Sequence, residues 1–304
     1  MALEDIFKPV AGMRPKVACE IRPEGVVAAR AGKRRGEMVV SFSPLAQGAV
    51  APGLKVPNLA DAHAVTSALE SALGDINARS EAVTLVVPDA AARVLLLDFD
   101  ALPSRRNEAL PVVRFRLRKM VPFDVEGAAV SYQVMTQKNG QLNVLVTVMP
   151  GDVLEEYESV VRAAGYDPGT VLPSTLAAAA AVGDEGAVLM VNHTGTSVTT
   201  AITHGDEMLL HRSMDLPAEA MAREEEMAQA VITALAWYED TLQRLPSTMY
   251  YAGVGGAGVA AQSRWAALVE PAPRMVDLGA PEMETALTSI PAGVTAGVAG
   301  ALAT

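Results

Sequence analysis

The stretch KVACEIRPEGVVAARA, residues 16–31, reads as two apolar strands joined by a tight turn. Pro23-Glu24-Gly25 supplies the turn, since proline presets one backbone angle and glycine tolerates the next. A third strand is predicted at 37–43, beyond the basic turn Gly32-Lys33-Arg34-Arg35-Gly36. After a loop rich in Pro and Gly, Asp61 is placed to cap a helix that runs to about Leu73. Val65, Leu69 and Leu73 share one face of it, and Gly74 ends it. Two apolar strands follow at 82–87 and 93–99. A meander of three strands, then a helix, then further strands makes one α/β lobe.

The same order returns later in the chain. Past Gly183-Asp184-Glu185-Gly186, strands are predicted at 187–192, 196–203 and 207–214, then a helix over 218–244. Met227, Val231, Leu235, Tyr238, Leu242 and Leu245 space its apolar stripe by threes and fours. A strand at 248–252, a glycine-rich turn at 253–258 and a helix at 257–268 come next. The repetition lies in the pattern and not in residue identity. It predicts two lobes, the first over 14–183 and the second over 184–304.

A segment of different character interrupts the first lobe. Residues 104–120 carry Arg105, Arg106, Arg114, Arg116, Arg118 and Lys119 against the single acid Glu108, and read as a helix containing Pro111. Strands at 129–136 and 142–149, a helix at 151–164, a strand at 169–172 and an alanine-rich helix at 174–182 follow. Residues 100–170 are therefore expected to form a small α+β insertion.

Bulk properties narrow the function. A chain of 304 residues can hold two lobes with their own cores. Its net charge of −11 disfavours a general nucleic-acid binder, which needs cations to displace counterions from phosphates. Cys19 is the one cysteine, so no internal disulfide forms and a reducing compartment is expected. The start MALEDIFKPV lacks the apolar core of a signal peptide. The uncharged stretch 285–304 is broken by Pro291, Gly293, Gly297 and Gly300 and is mostly alanine. It is expected to be a buried terminal helix and not a membrane span. No metal site is expected from His63, His193, His204 and His211, which lack a nearby thiolate.

Several ordered segments resemble one family. MVPFDVEGAAVSYQV (120–134), VVRAAGYDPGTVLPSTLAAAAA (160–181) and MAQAVITALAWYEDTL (227–242) followed by MYYAGVGGAG (249–258) are similar to corresponding passages of the PilM family. PilM proteins are actin-like components of type IV pilus machines, related to FtsA and to the cytoplasmic domain of GspL in type II secretion. The resemblance implies a two-lobed actin-like (ribonuclease H-like) α/β fold with a small α+β insertion subdomain in the first lobe. It further implies a cytoplasmic adaptor, peripheral to the inner membrane, that binds the short cytosolic tail of a PilN-like single-span partner and other pilus platform proteins. In that family the peptide lies in a groove beside the insertion. The candidates carried over here are Val113, Arg114, Leu117, Val121, Pro122 and Phe123, although Val113 and Leu117 are also expected to face the core.

The same resemblance implies ATP with Mg²⁺ as a cofactor, so its phosphate turns must be read residue by residue. The first turn, Glu20-Ile21-Arg22-Pro23-Glu24-Gly25, departs from the family's acid-and-glycine pattern, and Glu24 repels phosphate. Asn192-His193-Thr194-Gly195-Thr196-Ser197 puts Asn where an acid is expected, yet Gly195 and Thr196 can still receive a phosphate. The third element keeps Gly253, Gly255, Gly256 and Ala257 at a strand-to-helix turn, where a base and ribose can lie on bare backbone. The worn first turn favours a non-enzymatic adaptor with a decayed ATPase site and no cofactor. The alternatives are an active ATPase of the same fold or the cytosolic component of a type II secretion platform.

Overall fold

The computed structural model describes residues 15–34, 37–78, 82–138, 140–182, 186–253, 265, 267, 274–278, 284–286, 289–291 and 293–303. In chain order, the first part holds β1 (Val17–Arg22), β2 (Gly25–Ala31), β3 (Met38–Pro44), α1 (Ala62–Asp75), β4 (Ala82–Val87) and β5 (Arg93–Phe99). Then come α2 (Arg106–Leu117), β6 (Ala129–Lys138), β7 (Gln141–Met149), α3 (Gly151–Ala163), β8 (Asp167–Pro173) and α4 (Ser174–Ala179). The remainder holds β9 (Ala187–His193), β10 (Ser197–His204), β11 (Glu207–Asp215), α5 (Ala220–Leu242), β12 (Thr248–Ala252), β13 (Arg274–Asp277), β14 (Glu284–Ala286) and α6 (Ala296–Leu302).

Two sheets share one topology. The first is ordered β14-β3-β2-β1-β4-β8 and the second β11-β10-β9-β12-β13. In each, three antiparallel meander strands are followed by parallel strands on the other side of the first strand. The repeated pattern read in the sequence is thus a repeated topology, and the two-lobed α/β fold is the one expected. Local rules place the connecting helices. Asp61 caps α1 by accepting from the Ala64 N–H at 2.9 Å, and Val65, Leu69 and Leu73 are buried on its inner face. In α5, Met227, Val231, Leu235 and Tyr238 are buried as the stripe predicts, with Leu242 and Leu245 packed at its edge.

The layers follow from which face each helix covers. α1 and α3 pack on the outer face of the first sheet, over Val17, Cys19 and Ile21. α5 covers the outer face of the second sheet. Between the sheets lie α4 and α6, packed against Ala18 and Val27 from one lobe and Met190, Ala201 and Tyr250 from the other. Small side chains let these two helices cross closely: a Cβ at Gly300 would collide with the Ala177 carbonyl oxygen. The alanine-rich sequence of both helices is therefore a packing requirement.

Four expectations are corrected. The insertion is a three-stranded sheet ordered β5-β7-β6, with α2 packed on Val144, Val146 and Val148. It begins with β5, before residue 100, because β5 pairs with β7 and not with the lobe sheet. Residues 151–170, expected inside it, belong to the lobe proper: α3 covers the first sheet and β8, which runs on to Pro173, pairs in parallel with β4. Finally, the chain after residue 283 does not stay in the second lobe. β14 pairs in parallel with β3, and α6 packs against the first sheet. The 285–304 stretch was expected to be helix throughout, yet Thr285 and Ala286 are strand. The buried helix is α6. Of the predicted helix 257–268, all but Trp265 and Ala267 lies outside the described residues.

Candidate functional site

Two features stand out, a charge cluster between the lobes and an apolar groove beside the insertion. The cluster begins on β1. Strand alternation turns Glu20 and Arg22 to the same side, away from Cys19 and Ile21, and both are fully buried. Arg22 Nη1 donates to Glu20 Oε1 at 2.8 Å, and its Nε lies 3.5 Å from Glu24 Oε2. Nη2 reaches across to the second lobe and donates to the His193 carbonyl at 3.2 Å. Burial opposes charge on Arg22, but the two carboxylates outweigh it and hold its pKa above the ordinary value. Burial pushes Glu20 up, while Arg22 and Ser174 pull it back in part.

The facing turn is that between β9 and β10. Gly195 sits there with φ +51°, a left-handed conformation that glycine adopts without strain. Thr194 closes the turn, its N–H donating to the Ser197 carbonyl at 2.9 Å. The Glu24 carboxylate lies directly over this turn, so that a Cβ at Gly195 would collide with Glu24 Oε1. A phosphate seated on the Gly195 and Thr196 amides would meet that carboxylate, and like charges at contact distance repel strongly. The residues present at the first turn do not fit a nucleotide phosphate. At the third element, the Gly253 N–H donates to the Gly293 carbonyl at 3.1 Å. Gly255, Gly256 and Ala257 lie outside the described residues.

Behind the ion pair is a hydrogen-bonded network that the sequence did not reveal. Ser174 Oγ donates to Glu20 Oε1 at 2.7 Å. Asn192 Nδ2 donates to Ser174 Oγ at 3.1 Å and to Thr175 Oγ1 at 2.9 Å. Asp89, in a single turn after β4, accepts from the Thr175 N–H at 3.0 Å, from Thr175 Oγ1, and from Thr199 Oγ1 at 2.9 Å. These residues join five separate segments, β1, α4 and the Asp89 turn of the first lobe with β9 and β10 of the second. Asn192, noted only as the wrong residue for an acid, is the hub that makes lobe-to-lobe bonds. The signal available was thin: a Pro-Asp pair after an apolar strand, and hydroxyls opening an alanine-rich helix.

The second feature is a groove of about 240 Å³ between the insertion and the first lobe. Ala129, Val130 and Ser131 of β6, with Thr147 and Met149 of β7, form one wall. Leu154 and Glu158 of α3, with Val171 and Pro173 of β8, form the other. Among the described residues β6 and β8 are outer strands of their sheets, and residues of both line the groove.

The carried-over partner residues fall elsewhere. Val113 and Leu117 are fully buried under α2 and touch no solvent. Arg114 is committed internally, donating to the Val125 carbonyl and, at 2.8 Å, to the Ala128 carbonyl. Val121 and Phe123 are half-buried against the same insertion core, and Pro122 is exposed. None of the six lines the groove, because α2 packs on the face of the insertion sheet while the groove opens at its edge.

Two repeated sheets around a pair of central helices, with a small sheet inserted in the first lobe, define the actin-like ATPase fold class. No family model and no curated protein matches the sequence. Among solved structures, the chain is similar to the PilM–PilN type IV pilus biogenesis complex, at 16% identity and a TM-score of 0.76, over 95% of this chain and 97% of that one. It also matches the cytoplasmic domain of EpsL, an inner-membrane component of the type II secretion system of Vibrio cholerae, at 14% identity and a TM-score of 0.46. That match covers 78% of this chain and 81% of the other. The ethanolamine utilization protein EutJ from Carboxydothermus hydrogenoformans matches at 10% identity and 0.47, over 100% and 94%. Among the described residues no helix is long and apolar enough to cross a membrane.

Proposed function

We propose that this chain is a non-enzymatic adaptor of a type IV pilus assembly platform, which holds the short cytosolic tail of a PilN-like membrane protein. The observation that carries the reading is the apolar groove between the outer strands β6 and β8. An extended peptide adds to such an edge through backbone hydrogen bonds and places alternate side chains in the pocket. At about 240 Å³ the groove exceeds the roughly 150 Å³ that accommodates a benzene ring, so one or two aliphatic anchors fit. Likeness to a PilM–PilN complex supports this class of partner.

The cleft has a different role in this reading. Arg22, Glu20 and Glu24 occupy the phosphate position and tie the lobes together, in place of a Mg·ATP that would otherwise do so. The chain is thus a scaffold without ATPase activity, peripheral to the membrane through its partner. The test is calorimetric titration with a synthetic tail peptide from a neighbouring single-span protein, with and without Mg·ATP. Binding is expected in both conditions and is lost in Ala129→Arg, which fills the groove. Binding only with Mg·ATP would overturn the scaffold reading, and no binding in either condition would remove the tail.

A further inference from the structure

The outer face of α2 is a surface unrelated to groove or cleft. Phe115 is 69% exposed, Val112 39% and Met120 45%. Positions 112, 115 and 116 are three and four apart, so Val112, Phe115 and Arg116 lie on one face of α2, and Lys119 and Met120 follow in the turn just past its end. An exposed phenylalanine flanked by aliphatic neighbours is costly in water, since its ring keeps no polar handle there. The fate of each cation in the segment matters next. Arg105 pairs with Glu108 at 3.6 Å, Arg118 pairs with Glu126 and lies 6.0 Å from the centre of the Phe115 ring, Arg106 lies 6.0 Å from the centre of the Tyr132 ring, and Arg114 is bonded internally. Arg116 and Lys119 make no ion pair among the described residues. Two unpaired cations thus flank an exposed apolar cluster, in a chain whose net charge is −11.

We propose that this face rests on an anionic membrane surface, with Phe115, Val112 and Met120 entering the headgroup boundary and Arg116 and Lys119 meeting lipid phosphates. Charge complementarity selects this occupant. The cations that make no ion pair, Arg116 and Lys119, lie on this face, and the apolar group is a compact aromatic wedge of the size that interfacial helices insert. Only charges within about 10 Å act on the lipid at physiological salt, so the acidic remainder of the chain is largely screened. Asp98 and Asp100, which share a hollow with Arg116, keep the contact weak and reversible. Such a contact serves as a second attachment: once a tail holds the chain near the bilayer, even a weak surface affinity raises the fraction bound through effective concentration.

The experiment needs no tail peptide. The full chain is floated with phosphatidylcholine vesicles, with and without phosphatidylglycerol, at low and high salt. Co-flotation is expected with phosphatidylglycerol alone and is reversed by salt. R116Q/K119Q should weaken it roughly 30-fold, and F115A roughly 10-fold. All three side chains are exposed, so the circular dichroism and urea midpoint should match the parent. No flotation on phosphatidylglycerol overturns the proposal, as does flotation that neither variant changes. If vesicles fail while both variants lose a protein partner in crosslinking, the face belongs to an acidic protein and the membrane reading falls.

Discussion

His193 shows how much a single side chain in the interlobe cluster can weigh. Its ring is half-buried with Nε2 shut from solvent, and this burial lowers its pKa from 6.5 to about 4, helped by the positive charges of Arg22 and Arg223. The folded state therefore keeps His193 neutral where the unfolded chain takes a proton. Stability from this source is whole above pH 6.5 and is lost as pH falls towards 4, by about 3 kcal/mol at most. Glu20 acts in the opposite sense. Its raised pKa gives stability present at low pH and lost as pH rises through the folded value. The difference between the parent and H193Q isolates the histidine. Urea midpoints should drop between pH 6.5 and 4 in the parent, and clearly less in H193Q. Equal slopes would mean that the ring takes a proton freely in the fold. The same scale shows what sequence reading could reach. Glu20, Arg22 and Glu24 were legible as departures because they sit within one short turn. Asp89, Thr175 and Thr199 were not, because nothing local marks an acid and two hydroxyls that meet only after folding.

Among elements, the crossing of α4 and α6 is the tightest. No side chain can be added at Gly300 without striking the Ala177 carbonyl, and backbone cannot move aside as a flexible side chain can. Gly300→Val should therefore cost about 3 kcal/mol or more, read from the urea midpoint. A loss below about 1 kcal/mol would show that the helices can slide apart. Legibility at this scale followed periodicity. α1 and α5 were readable because apolar residues every three or four positions mark one face of a helix. The place of β8 was not readable, since its partner β4 lies some eighty residues earlier and strand pairing over that distance leaves no local trace. The groove of the structure was unreadable for a related reason. Sequence locates a basic helix, but only the register of β6 on β7 shows that the open edge lies at Ala129–Ser131 and not beneath Val113.

Taken whole, the molecule is bolted at three places. The central helices lie between the sheets, the charge cluster spans the cleft, and the insertion reaches β11. There Thr136 Oγ1 donates to Glu207 Oε1 at 2.7 Å, and Asn143 Nδ2 donates to the same oxygen at 3.0 Å. Removing residues 284–304 takes away β14 and α6 together. Hydrogen exchange should then accelerate in β1, β2 and α4 more than in α5 and β10, because the first sheet loses its inner cover while α5 still packs on the second. Uniform acceleration in both lobes would instead mean that the chain unfolds as one unit.

The return of β14 to the first sheet also bears on how the protein is made. A ribosome delivers the first lobe's strands early, yet their outer strand and inner helix come last. At about 5–20 residues per second, the nascent first lobe waits several seconds with Ala18, Val27 and Val40 uncovered. Vectorial synthesis therefore leaves the amino-terminal half the later of the two to mature. A chaperone that holds this chain should find its apolar handle there, on the very strands that will line the finished cleft.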